Sequence, residues 1–292
     1  MKTFKEAVRT KDFAVTARIA LRPETDAAVI REQANLLRDH VDAILLTDNQ
    51  FGQVHMSTLA ASALLVQNGV DPIMQLSCRN KNRVALLGDL FGAAALSVTS
   101  LLIVRGDKLA ADIEPRPKAV FDVSATELMA MAVAMKSEDQ LRAFQEFFLG
   151  GAIMPHAPQP GWVPEKLIEK IDAGAQFVHM PICMDVDLLR SYMKHLVANN
   201  LIRRASVIAG TVILPSADDA RWLRENRANV IIPDVIIDRL QRASNPEQEG
   251  INICSEHLQE LADIPGISGA TIMPGGNLVA IPEAIQAANL SN

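Results

Sequence analysis

Aromatic side chains are scarce in this chain of 292 residues: one Tyr, two Trp and nine Phe make up 4% of it. A flat ring ligand binds best against flat side chains. Few are available near the predicted loop ends: Phe51, Phe121, Phe148 and Trp162. Cysteine is almost as rare. Cys78, Cys183 and Cys254 are widely separated, odd in number and without Cys-x-x-Cys spacing. That argues against a disulfide framework and a zinc site, and suits reduced thiols in a cytoplasm. No apolar run reaches about 18 residues, so neither a spanning helix nor a membrane partner is expected. The opening Met1-Lys2-Thr3-Phe4-Lys5-Glu6 lacks the apolar core of a signal peptide. Positive charge is also short: 28 Lys and Arg stand against 34 Asp and Glu, a net charge of −6. The basic residues are scattered, which argues against a nucleic-acid surface. No Gly-x-Gly-x-x-Gly follows an early strand, which counts against a doubly wound dinucleotide-binding sheet. No His, Asp and Glu spacing suggests a metal site, and no Ser-His-Asp arrangement can be argued.

What is present is alternation. Hydrophobic residues make up 49% of the chain and charged residues 21%, ordinary for a globular protein. Eight strand-like apolar runs lie near Ala14–Ala20, Val41–Leu46, Pro72–Leu76, Leu101–Val104, Phe148–Met154, Phe177–Ile182, Ser206–Ile213 and Gly269–Met273. Amphipathic helical patterns separate them: Thr25–His40, Ser57–Gln67, Asn82–Ala95, Ser124–Lys136, Pro164–Ala173, Asp185–Ala198 and Ser216–Asn226. Segments near Asp234–Arg242 and Glu247–Leu261 precede the last strand, and Ile281–Ala288 closes the chain. Ser124-Ala-Thr-Glu127 reads as a capping box. Alternating β and α units at this spacing imply a parallel sheet, and eight of them an α/β fold of the closed (β/α)8 TIM barrel type. Residues 1–292 are expected to form a single barrel domain. Lys108–Pro117 reads as a long loop.

The strands run into polar clusters: Thr47-Asp48-Asn49-Gln50, Gln75-Leu76-Ser77-Cys78-Arg79-Asn80 and Arg105-Gly106-Asp107. Barrel enzymes build their sites at those C-terminal strand ends. In order along the chain stand Val41-Asp-Ala-Ile-Leu-Leu-Thr-Asp-Asn-Gln50, Gln75-Leu-Ser-Cys-Arg-Asn-Lys-Asn-Arg83, Val104-Arg-Gly-Asp107 and Val120-Phe-Asp122. They are followed by Lys170-Ile-Asp-Ala-Gly-Ala175, Gly250-Ile-Asn-Ile-Cys-Ser-Glu256 and Ile264-Pro-Gly-Ile-Ser-Gly269. In these segments the chain resembles the methylenetetrahydrofolate reductase family, in its short form without a regulatory domain. The resemblance implies an oxidoreductase of one-carbon metabolism, a flavoprotein. It would interconvert 5,10-methylenetetrahydrofolate and 5-methyltetrahydrofolate with FAD as cofactor and NAD(P)H (NADH or NADPH) as co-substrate. The same resemblance makes Asp107 the catalytic carboxylate on the pterin edge, whose paired N–H donors an aspartate can accept. It implies FAD contacts from Thr47, Gln75, Ser77, Arg105, Gly106, Phe121, His156 and Lys170. The partner it implies is a tetrahydrofolate derivative, and since family members are commonly oligomeric, a homo-oligomer is an open expectation.

The first strand departs from the family pattern. Where the family carries a glutamate as general acid, this chain has Arg18, in Val15-Thr-Ala-Arg-Ile-Ala-Leu-Arg-Pro23. Opening the methylene bridge needs a proton on the leaving nitrogen, and a guanidinium is no ordinary donor. In the sixth strand, Pro181 stands where a folate-contacting Gln is expected. Three readings stay open. In the first, Asp48, Glu24 or water replaces the acid in a folate-linked oxidoreductase, with the oxidative direction open. Arg18 may contact a phosphate or carboxylate of another ligand. Or the chain is a folate- or partner-binding paralog without the reductase chemistry. A flavin-free, NADH-dependent variant is the further alternative. Arg79 and Arg83 read as helix-start or solvent charges, Cys78 as a buried apolar group, and His179 as an interior side chain of strand six. His40, His55, His195 and His257 read as surface or packing residues.

Overall fold

The computed structural model describes residues 2–109, 114–135, 146–227 and 229–290, with only the backbone of Phe51. Its strands are β1 (Ala14–Ile19), β2 (Ala43–Leu46), β3 (Pro72–Ser77), β4 (Ser100–Val104), β5 (Phe148–Ala152), β6 (Phe177–Ile182), β7 (Ser206–Val212) and β8 (Ile267–Met273). Each pairs in parallel with the next, and β8 pairs back onto β1, so the sheet is a closed eight-stranded barrel. The helices are α1 (Phe4–Thr10), α2 (Ala27–Leu37), α3 (Thr58–Gln67), α4 (Arg83–Ala95), α5 (Ala125–Ala134), α6 (Glu165–Asp172), α7 (Val186–Ala198), α8 (Ala217–Asn226), α9 (Asp234–Arg242), α10 (Pro246–Ala262) and α11 (Ala280–Ala288). This is the expected (β/α)8 barrel, with α8, α9 and α10 all inserted between β7 and β8. Helix starts follow local chemistry. Asp26, Ser57, Asn82, Asp185 and Ser216 each accept backbone N–H groups of the first turn. The capping box at Ser124 and Glu127 is present. Lys136, where the sequence placed the end of α5, lies outside the described residues. So do residues 110–113 of the loop after β4.

The sequence did not suggest α1. Its seven residues are mostly polar, and it is held by contacts remote in sequence. The Phe4 ring is fully buried in the N-terminal end of the barrel. It lies 5.6 Å from Phe148 and 5.3 Å from Phe177 between ring centroids. Phe148 and Phe177 are themselves 4.9 Å apart. Gly150 makes room for this trio: a Cβ there would sit 2.1 Å from Phe177 Cζ. The Phe4 N–H donates to Asp71 Oδ2 at 2.7 Å, anchoring α1 to the start of β3. The aromatic floor therefore lies opposite the polar strand ends. Phe148, counted above among rings near loop ends, belongs to it.

Pro181 falls within β6, where proline removes a ladder donor. The register of β6 against β7 shifts between His179 and Ile182. Facing it, Gly210 leaves no room for a side chain, since a Cβ would lie 2.7 Å from the Pro181 carbonyl carbon. The shift in register thus falls where the proline of β6 meets the glycine of β7.

Candidate active site

Loops after β2, β3 and β4 converge at the C-terminal rim. Asp48 is buried and accepts the Ser77 N–H at 2.8 Å, joining the first two loops. Burial raises the Asp48 pKa, against the opposing pull of Lys81 and the Ser77 bond. Asn49 adopts the left-handed conformation at φ 44°, and its N–H donates to His55 Nε2 at 2.9 Å. Gly106 has φ 95°, and a Cβ there would lie 2.2 Å from Ser77 Oγ and 2.7 Å from Arg79 Cβ. Only glycine serves at this crossing. Arg79, read from sequence as a solvent charge, is instead 1% exposed. It donates from Nη1 to the Asp107 carbonyl at 2.9 Å, from Nη2 to the Asn49 carbonyl at 2.6 Å, and from Nε to Asn80 Oδ1 at 2.8 Å. Among described residues it is the main member of the site that sequence reasoning missed. Two of its three partners, Asn49 and Asp107, are far away along the chain, so no local signal marks it.

Arg18 lies in the barrel mouth, its Nη2 donating to Gln50 Oε1 at 2.9 Å. Its Nε is buried without a hydrogen-bond partner among the described residues, as is Nε2 of His179. Burial lowers the Arg18 pKa to about 10, reinforced by Arg227 and opposed by Asp107. Burial and then Arg18 hold the His179 imidazole down to about 4. Asp107, exposed at the rim, acts electrostatically on Arg18, Arg79 and Arg227. Arg227, at the end of α8, is the second residue that the sequence did not single out. Thr47 and Ser77 are buried at the same ends, and the Gln75 carbonyl accepts the Thr58 hydroxyl at 3.2 Å.

Beside the mouth, a cavity of about 560 Å³ opens between the ends of β4 and β5 and the start of α5, lined by Arg105, Phe121, Ala152 and Lys170 among others. The Arg105 guanidinium stacks 4.2 Å from the Phe121 ring centroid. Phe121 holds φ 47° to present that face. Lys170 reaches over Gly151, where a Cβ would sit 2.9 Å from Lys170 Cδ. Burial and then Lys166 lower the Lys170 pKa, with Glu169 opposing. Asp122 and Glu127 also line it, but both carboxylates are engaged, Asp122 by Arg83 and Glu127 by the Ser124 N–H; two cations and one ring remain to cradle a ring system that carries phosphates. Three predicted contacts, Arg105, Phe121 and Lys170, thus share one cavity, while Arg18 and Asp107 share the mouth. His156 stands apart from that cavity's lining, exposed, its ring 4.4 Å from Trp162 and 5.3 Å from Tyr192.

The remaining candidates have structural surroundings. Cys78, Cys183 and Cys254 are free, buried thiols. Burial raises their pKa values to about 11, 11 and 12, so none is an activated nucleophile. His257 is buried between α10 and β7, its Nδ1 2.8 Å from the Thr211 hydroxyl. Among the described residues there is no group of three or more metal-binding side chains. No helix among them is long and apolar enough to cross a membrane.

Comparison with known proteins agrees with this architecture. A family model described as methylenetetrahydrofolate reductase matches residues 22–273. A protein of Clostridium thermocellum, whose structure is described as binding two copies of 5-methyl-5,6,7,8-tetrahydrofolic acid, superposes with a TM-score of 0.64 at 13% identity, over 97% of this chain and 96% of that one. DmoA of Hyphomicrobium sulfonivorans superposes with a TM-score of 0.56 at 10% identity, over 94% and 87% of the two chains. The long-chain alkane monooxygenase LadA gives 0.55 at 12% identity, over 96% and 90%. At these identities the superpositions speak for the fold. No curated protein matches the sequence.

Proposed function

Since the chain belongs to the methylenetetrahydrofolate reductase family, we propose that its barrel mouth binds a reduced folate and interconverts the 5,10-methylene and 5-methyl forms. FAD is the proposed cofactor and NAD(P)H the co-substrate. The observation that carries this reading is the family match over residues 22–273, with Asp107 standing at the rim where β4 ends. Asp107 would accept the paired N–H donors of the pterin edge. Arg105, Phe121 and Lys170 would hold the flavin and its phosphates in the side cavity, with Thr47, Gln75, Ser77 and Gly106 toward the mouth. A bound flavin would supply two-electron hydride storage.

The residues of this chain would then do three things. The Asp107 carboxylate orients the folate. The aromatic floor keeps the inner barrel dry. Proton transfer falls to a group other than Arg18. Asp48 suits that task better than Glu24. Asp48 is buried, and its raised pKa favours the protonated form. Glu24 is 71% exposed in its side chain and lies beside Arg22. Whichever group carries the proton serves both directions, as acid in reduction and as base in oxidation.

The test is spectroscopic. Purified protein is expected to show flavin absorbance, or to acquire it on reconstitution with FAD. Anaerobic 5-methyltetrahydrofolate should then bleach the flavin bands. Protein that binds the folate yet never takes up flavin would instead point to direct hydride exchange with the nicotinamide. Protein that binds neither would defeat the proposal.

A further inference from the structure

We infer that Arg79 is the positioning residue of the rim: from the loop after β3 its side chain bonds the loops after β2 and β4, and through them it aims Asp107. Its guanidinium is buried, yet none of its three bonds goes to a carboxylate. They go to the carbonyls of Asn49 and Asp107, one on the loop after β2 and one on the loop after β4, and to the side chain of Asn80 beside it. Its own carbonyl accepts the Val120 N–H at 2.7 Å, which fixes the residue before Phe121. A rigid planar fork holds two divergent carbonyls from two separate nitrogens in a fixed geometry, whereas an ammonium offers its donors from one point on a flexible stem. The conformations of the clamped loops fit this role. Asn49 is left-handed at φ 44°, and Gly106 has φ 95° with Ser77 Oγ and the Arg79 stem filling the place of a Cβ. The carboxylate of Asp107 therefore hangs from a backbone whose carbonyl Arg79 grips. The same residue reaches toward both the mouth and the side cavity.

The inference rests on the proposed function only for the ligand that Asp107 serves; the clamp itself can be measured without any ligand. In Arg79→Lys, with Arg79→Met as the harsher variant, amide exchange of the full chain is followed by NMR. The amides of Asn49, Gly52 and Val120 report on the loops, since they are bonded to His55 Nε2, Asn49 O and Arg79 O. They are expected to exchange at least about 10-fold faster while the amides of β1 to β8 keep their rates. Affinity for 5-methyltetrahydrofolate and its turnover by the flavin-loaded protein should both fall, turnover by about 100-fold, as expected when a reacting group is misplaced by an ångström. Loops that stay protected in both variants would overturn the inference. So would faster exchange spread evenly through the barrel, which marks a residue that merely stabilises the fold. Should the parent protein fail to bind the folate, the proposed function falls, and the exchange result still decides whether Arg79 is the clamp.

Discussion

Asp71 offers a test that depends on neither folate nor flavin. It is 1% exposed beneath the barrel, with Oδ2 accepting the Phe4 N–H. Among the described residues Oδ1 completes no hydrogen bond, and neither does the Ser100 hydroxyl, although that hydroxyl is near enough to favour the charged form. Burial outweighs both and pushes the Asp71 pKa from 3.8 to about 6. The folded state thus keeps the proton to higher pH than the unfolded chain does. Stability from this group is fullest below about pH 4 and is lost as pH rises through about 6. A shift of about two units at about 1.4 kcal/mol each makes the loss about 3 kcal/mol at pH 7.5 and about 1 kcal/mol at pH 4.5. Asparagine retains an oxygen for the Phe4 N–H and has an NH₂ that Ser100 can accept, but carries no charge. Urea unfolding of parent and Asp71→Asn at the two pH values measures the gap between them. That gap should widen by about 2 kcal/mol from pH 4.5 to 7.5, in favour of the variant. A gap that stays constant would refute the reasoning, because it would mean the carboxylate ionises in the folded state without penalty.

Other changes follow the same logic. Gly106→Ala should destabilise the protein by about 2 kcal/mol or more, because it combines a strained φ with contacts inside van der Waals range; thermal melting reads it directly. Burial holds His257 down to about 4. Its contribution is complete above about pH 6.5 and lost as pH falls toward 4, about 3 kcal/mol in all. His257→Gln should therefore flatten the acid limb of a stability–pH curve. Arg18→Glu is expected to raise reductive turnover; unchanged or lower turnover in a folded variant would mean that Arg18 does not stand where the acid belongs. Arg105→Ala should weaken FAD retention, seen as a larger fraction released on gel filtration, with folate binding unaffected.

All eight strands were legible because each is a short, mainly apolar run set between helical patterns, and β2, β3 and β4 also run into polar clusters. Helix limits came within a few residues wherever a cap residue marked the start, as at Ser57 and Asn82. The helix α1 was not legible, because seven residues carry too little periodicity. What identifies it is the fit of Phe4 between two rings more than 140 positions away. At the site, Arg105-Gly106-Asp107 could be singled out as a strand end. The burial of Arg79 could not, since nothing in Cys78-Arg79-Asn80 tells that carbonyls at Asn49 and Asp107 converge on it. Pro181 was legible only as a missing side chain, whereas its structural consequence is a shift in strand register.

The rings of Phe4, Phe148 and Phe177 make the barrel a vessel with one opening. Nothing can thread through it, so every molecule that reaches the polar rim must leave by the way it came. If, as proposed, a bound flavin relays the hydride, folate and nicotinamide can use that one opening in turn. Each reactant in excess should then crowd out its counterpart, and double-reciprocal rate plots should run parallel.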